Sequence, residues 1–191
     1  MNISHLSKIA CAASAVLVAT STVHAQVPAT PAPAPLPPLA IPNPHYVMQE
    51  LEIDVDRPAA ETWQRVGKFC QIGEWNQVQC DLVDGDGWAL GSIRLIRGAV
   101  FELLAGKTAL SYTYSQPARV GVPYNSYHGT LEARPIAGNR TKLIYSLFWD
   151  DSMMTEPARA AELTRRKALF TRALQNMKIL AEGGTALPPR E

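Results

Sequence analysis

The sequence lacks the short motifs that announce a reaction. Across 191 residues there is no Gly-x-Ser-x-Gly, no His-Glu-x-x-His, no Walker loop and no Rossmann glycine pattern, which favours a binding protein over an enzyme. An excess of charge of one sign is missing too. The 18 Lys+Arg stand against 17 Asp+Glu, whereas a nucleic-acid binder normally carries a basic surplus. No apolar run reaches the length of a mature membrane span. Cysteine is scarce, with three residues, and that excludes a disulfide-dense mini-protein. What is present is 47% hydrophobic residues against 18% charged, enough to bury a core. The length suits one domain with appendages.

Residues 1–25 read as a secretory signal. Lys8 supplies the positive start, and Ile9 to Ala19 is an apolar stretch of 11 residues, too short to span a bilayer. Val23 and Ala25 occupy the −3 and −1 positions of a cleavage site after Ala25. Cys11 does not make a lipobox, because Lys8 stands where Leu is wanted. An uncleaved signal would leave a membrane tether, and the sequence leaves that alternative open. Residues 26–44 hold 8 of the 15 prolines. Proline fixes φ and donates no hydrogen bond, so this segment is expected to be an extended, solvated linker rather than a PxxP docking site. The domain is expected over residues 45–182, followed by a flexible tail over 183–191.

Cleavage would leave two histidines, His45 and His128, and two cysteines, Cys70 and Cys80. An export signal implies an oxidising compartment, periplasmic or extracellular, in which two cysteines allow one pairing. Closing so short a loop is worth roughly 2.5–3 kcal/mol. A redox pair normally has two-residue spacing, and a zinc site needs more ligands. A structural Cys70–Cys80 disulfide is therefore the expectation, with no metal and no cofactor.

Apolar and polar residues alternate from Val47 through Ile53, the pattern of a half-buried strand over 45–54. Asp56 and Pro58 open a first helix, with Asp56 as its cap; Trp63 and Val66 share one face and Gly67 ends it. A second short helix covers Cys70 to Trp75. From Val78 to Asp150 the text is strands and turns. Asp84, Gly85, Asp86 and Gly87 make a hairpin turn, since a calcium loop would need a later Glu. Strands are expected at about 88–96, 99–105, 108–115, 125–134 and 141–150, joined as an antiparallel meander. Thr155 caps a long helix that Gly183 and Gly184 stop. Its apolar stripe is Phe170, Ala173, Leu174, Met177 and Leu180. Arg159, Arg165, Arg166, Lys167, Arg172 and Lys178 are expected on a solvated face. One amphipathic helix facing one antiparallel sheet is an α+β arrangement with a concave space between the layers.

In this order the pieces resemble the SRPBCC superfamily, also called START-like or birch-pollen-allergen-like, and within it the polyketide cyclase/dehydrase-type branch. The resemblance covers roughly residues 45–182. It is carried by Pro58-Ala59-Ala60-Glu61-Thr62-Trp63-Gln64-Arg65-Val66-Gly67, Ile72-Gly73-Glu74-Trp75, Gly91-Ser92-Ile93-Arg94 and Glu102-Leu103-Leu104. Leu110-Ser111-Tyr112, Tyr127-His128-Gly129-Thr130-Leu131 and Phe170 through Lys178 continue it. Cys70 after the first helix and Cys80 after Trp75 also look like many exported members. Such members often carry His-Pro after that Trp, where this chain has Asn76 and Gln77. The resemblance implies a helix-grip fold: a curved antiparallel sheet of about seven strands wrapped around a long C-terminal helix, with two short helices after strand 1. It also implies a deep apolar cavity for lipids, sterols, polyketides or similar molecules.

Two readings of one hairpin conflict. With Arg97, Gly98 and Ala99 as its loop, Arg94 faces Glu102 across the strands. Alternation alone turns Ile93, Leu95, Phe101 and Leu103 inward and the ion pair outward. The resemblance implies the opposite, with Arg94 and Glu102 in the cavity as an anchor for a ligand carboxylate, hydroxyl or ketone. It also turns Tyr112, Tyr127 and Tyr145 inward and His128 outward. Trp75, Trp88 and Trp149 are core or pocket-mouth residues. Phe101, Leu131, Phe170, Leu174 and Met177 are candidate apolar walls, and no catalytic residue is assigned. The loop after Gly98 and the Gln116–Pro123 segment are candidate entrances. The expected partner is a hydrophobic small molecule, with no nucleic acid, in a monomer or weak dimer. The alternatives are a cyclase or dehydratase using Glu102 or a tyrosine as acid/base, and an envelope domain that docks partners through the Pro-rich arm.

Overall fold

Alternating side chains set the first strand. β1 (Tyr46–Val55) turns Val47, Gln49, Leu51, Ile53 and Val55 toward the interior and leaves Tyr46, Met48, Glu50 and Glu52 exposed. The computed structural model describes residues 41–118 and 121–188. The expected signal at 1–25 and residues 26–40 of the linker lie outside the described residues.

α1 (Ala59–Val66) follows, burying Trp63 and Val66 on one face and ending at Gly67. Its start corrects one expectation. Pro58 occupies the cap position without a side-chain bond, and the Asp56 carboxylate instead accepts from Arg140 Nε at 2.8 Å. A 3-10 turn (Phe69–Gln71) runs into α2 (Ile72–Trp75), and a disulfide joins Cys70 to Cys80 with a Cα–Cα distance of 5.7 Å.

The remaining strands are β2 (Cys80–Asp84), β3 (Ile93–Ile96), β4 (Val100–Thr108), β5 (Ser111–Ser115), β6 (Asn125–Ile136) and β7 (Arg140–Asp150). They form one antiparallel seven-stranded sheet in the order β1-β7-β6-β5-β4-β3-β2. β3 begins at 93 rather than 88 because the chain before it is a long turn. The Asp86 carboxylate takes the N–H groups of Trp88 and Ala89, and Gly85, Gly87 and Gly91 have positive φ.

α3 (Glu156–Ala181) lies against β1 and β7 and against α1 and α2. Thr155 stands at its cap position but makes no side-chain bond there. The stripe of Phe170, Ala173, Leu174, Met177 and Leu180 is buried as expected. Arg166 is buried with it, against the expectation of a solvated face. Arg166 stands one turn before Phe170, so helical geometry points it at the same interior. Residues 184–188, expected to be part of a flexible tail, run back along α3. Leu187 N–H donates to Asn176 Oδ1, its carbonyl accepts from Gln77, and Arg172 donates to the Pro188 carbonyl.

Register builds the interior in rows. Tyr112, Leu131 and Tyr145 oppose one another across β5, β6 and β7, with Leu51 of β1 next. The adjacent row is Leu104, Tyr114, Gly129 and Leu147. Gly129 is required there, because a Cβ would overlap the Tyr114 phenol.

Candidate functional site

The hairpin of β3 and β4 pairs Arg94 with Glu102 and Ile96 with Val100. Arg94 and Glu102 are buried, at 0% and 3% exposure, whereas Phe101 and Leu103 are exposed. Simple alternation, which turns the apolar face inward, is thereby overturned, and Phe101 is no interior wall. A curved sheet explains this: at its β3–β4 end the outer face also carries apolar side chains. Ile93, Phe101, Leu103 and Pro117 line an outer cavity of about 350 Å³.

The ion pair is closely held. Arg94 Nε donates to Glu102 Oε2 at 2.8 Å, Nη2 lies 2.6 Å from the same oxygen, and Nη1 donates to the Phe69 carbonyl. The guanidinium also lies over the rings of Phe69, Tyr114 and Tyr112, 4.2, 5.0 and 5.7 Å from their centroids. Burial is the largest single influence and opposes the Arg94 charge, but Glu102 together with Tyr112, Tyr145 and Tyr114 outweighs it and holds the guanidinium above its ordinary pKa.

The tyrosines supply the rest of the polar lining. Tyr112, Tyr127 and Tyr145 are buried, as is Tyr114, which sequence reasoning left unassigned although it shares the parity of Tyr112. The hydroxyls of Tyr114 and Tyr145 are 3.0 Å apart. The Tyr112 hydroxyl is buried without a hydrogen bond of normal geometry. Burial pushes all four phenols up: Tyr127 to about 12, Tyr114 and Tyr145 well above the ordinary value, and Tyr112 against the pull of Arg94. They stay protonated donors at physiological pH.

A second cation enters from α3. Arg166 Nε lies 2.7 Å from Glu162 Oε1, and its guanidinium sits over Tyr124, Tyr127 and Trp149, 4.8, 4.6 and 4.8 Å from their centroids. A hydrogen-bonded link connects the two pairs. Gln116 Nε2 donates to Glu102 Oε1 at 2.8 Å, and the Tyr124 hydroxyl donates to Gln116 Oε1 at 2.9 Å. Gln116 opens the Gln116–Pro123 segment expected as an entrance and Tyr124 directly follows it, and no motif marked either one.

Leu131, Leu174 and Met177 are buried in one cluster with the tyrosines, and the Phe170 ring lies 4.6 Å from that of Tyr145. Trp75 and Trp149 are core residues, whereas Trp88 is exposed. His128 faces outward against Phe148. The interior residues pack on one another. A cavity of about 520 Å³ lies beside them, lined by Lys68, Phe69, Leu82, Asp86 and Trp88 among others. Phe69 is the shared wall, since Arg94 stacks on its ring.

Searches among curated proteins return no match. Solved structures do match. A protein of Nitrosospira multiformis is 22% identical with a TM-score of 0.56, covering 69% of this chain and 96% of its own. One of Thermobifida fusca is 20% identical with a TM-score of 0.62, covering 75% and 99%. Ara h 8.0201 is 13% identical with a TM-score of 0.56, covering 73% and 100%. These likenesses show the helix-grip fold. The family described as polyketide cyclase / dehydrase and lipid transport matches residues 49–182, which hold the gripped helix and all of the seven-stranded sheet but the first three residues of β1, and the chain belongs to that family within the SRPBCC superfamily.

Proposed function

We propose that residues 45–182 reversibly bind a hydrophobic small molecule, lipid-, sterol- or polyketide-like, between the sheet and α3. The observation that carries this reading is the Arg94–Glu102 pair on the inner face of the sheet, with the buried Tyr112 hydroxyl beside it, which makes no hydrogen bond of normal geometry among the described residues. A buried ion pair adds little to stability over a well-packed apolar substitute, so its place in the core points to recognition. Leu131, Phe170, Leu174 and Met177 supply apolar walls, and Tyr112, Tyr127 and Tyr145 supply donors. The cavity at Phe69 and Trp88 is the approach, and displacement of the Phe69 ring joins it to Arg94. The family description, with its mention of lipid transport, supports the same reading.

The protein is proposed to work outside the cytoplasm, in the periplasm or beyond. The Cys70–Cys80 disulfide supports that placement, and no helix among the described residues is long and apolar enough to cross a membrane.

Native mass spectrometry of the purified protein, with organic extraction, tests the reading. The expected result is a hydrophobic molecule at near one per chain, lost in Arg94→Ala. An empty protein with no thermal shift across lipids, sterols and polyketides would overturn it.

A further inference from the structure

The buried charges inside the domain are already matched, and that restricts what can join them. Arg94 Nε donates to one oxygen of Glu102 and Nη1 to the Phe69 carbonyl, while Nη2 lies 2.6 Å from the same Glu102 oxygen without a hydrogen bond of normal geometry. The guanidinium charge is therefore already matched by Glu102, although Nη2 keeps donor capacity. A ligand carboxylate at that guanidinium would have to stand beside Glu102, whose other oxygen accepts from the neutral Gln116. Two carboxylates would then share one guanidinium in a dry interior, and one negative charge would stand uncompensated. Arg166 offers no better place. It is held by Glu162 and by three aromatic faces. Glu162 does serve a second cation, Arg165, but that side chain is 59% exposed and its charge is met by water.

A neutral oxygen meets the opposite conditions. The Tyr112 hydroxyl is buried; Arg94 can engage only its oxygen, as a donor, so its O–H has a hydrogen bond to give. Glu102 Oε1 accepts one side-chain donor and has capacity for a second. A ligand hydroxyl can use both and a ketone can use the first, with no change in buried charge.

We infer that this site, if it binds a hydrophobic molecule as proposed above, selects an uncharged one bearing a hydroxyl or ketone and rejects the carboxylate of the same skeleton. The specificity lies in the charge balance of Arg94 and Glu102 rather than in cavity shape.

Two matched pairs of probes test this by calorimetry at neutral pH: 2-naphthol against 2-naphthoate, and dodecanol against laurate below its micelle concentration. The wild-type protein is expected to bind the alcohol of each pair at least about tenfold more tightly. Glu102→Gln keeps the shape and removes the compensating charge, so the carboxylate is expected to become the preferred member. Wild-type preference for either carboxylate, or equal affinity within a pair, would overturn the inference and leave the binding site standing. Binding of no probe would overturn the inference and the binding site together. If Glu102→Gln does not fold, the wild-type preference decides alone.

Discussion

Arg94 and Glu102 sit where a core would ordinarily place a leucine and a valine. Two charges taken out of water lose hydration that their mutual attraction only partly restores, so the pair depends on the groups packed around it. Its partners are the Phe69 carbonyl, Gln116 and three aromatic faces, with Nη2 of Arg94 left without a hydrogen bond of normal geometry. Removing one member strands the other. Arg94→Met is expected to cost about 3–5 kcal/mol, because Glu102 stays buried with only Gln116 to meet it. Arg94→Met combined with Glu102→Leu is expected to return most of that loss or exceed it. Urea unfolding of the two variants checks this. Equal destabilisation by both would mean that the pair is not coupled as the geometry describes.

At the scale of elements, pattern in the sequence reads well where one face is wet and one is dry. β1 alternates cleanly, and the α3 stripe from Phe170 to Leu180 is continuous, so both were legible. Reading failed where chemistry contradicted geometry. Arg166 stands on the Phe170–Leu174 face by spacing, but its charge placed it in solvent. Ile93, Leu95, Phe101 and Leu103 look like an inner face by composition. The curved sheet nevertheless turns the charged residues in, and only the family resemblance anticipated that. Gln116 and Tyr124 lie outside the strands, where no periodicity assigns a direction. The disulfide was legible by counting, yet not its position next to the site. It ties the 3-10 turn carrying Phe69 to the first residue of β2. Cys70→Ser with Cys80→Ser is expected to lose roughly 3 kcal/mol from chain entropy, and also to loosen the Phe69 carbonyl from Arg94. Thermal unfolding reads the first effect. The second is expected as weaker binding of the retained ligand, and a variant that loses stability with unchanged affinity would separate the staple from the site.

For the molecule as a whole, the interior is unusual in how much titratable phenol it hides. Tyr112, Tyr114, Tyr127 and Tyr145 are all buried, and burial raises each one's pKa. The sign of the resulting pH dependence is fixed by proton counts. Above about pH 10 the unfolded chain gives up its phenolic protons, while the folded chain keeps those of the interior until higher pH. The unfolded state then binds fewer protons than the native state, so stability falls as pH rises. For Tyr127, held at about 12, the loss across that window is roughly 3 kcal/mol. Losses at the other three phenols have the same sign. The domain is therefore expected to unfold cooperatively in alkali, with the phenolate absorbance of the buried tyrosines appearing in the same step as the loss of circular dichroism. Smooth ionisation of all the tyrosines near pH 10, with the fold intact, would mean that water reaches the interior and that its phenols and charges are not held dry.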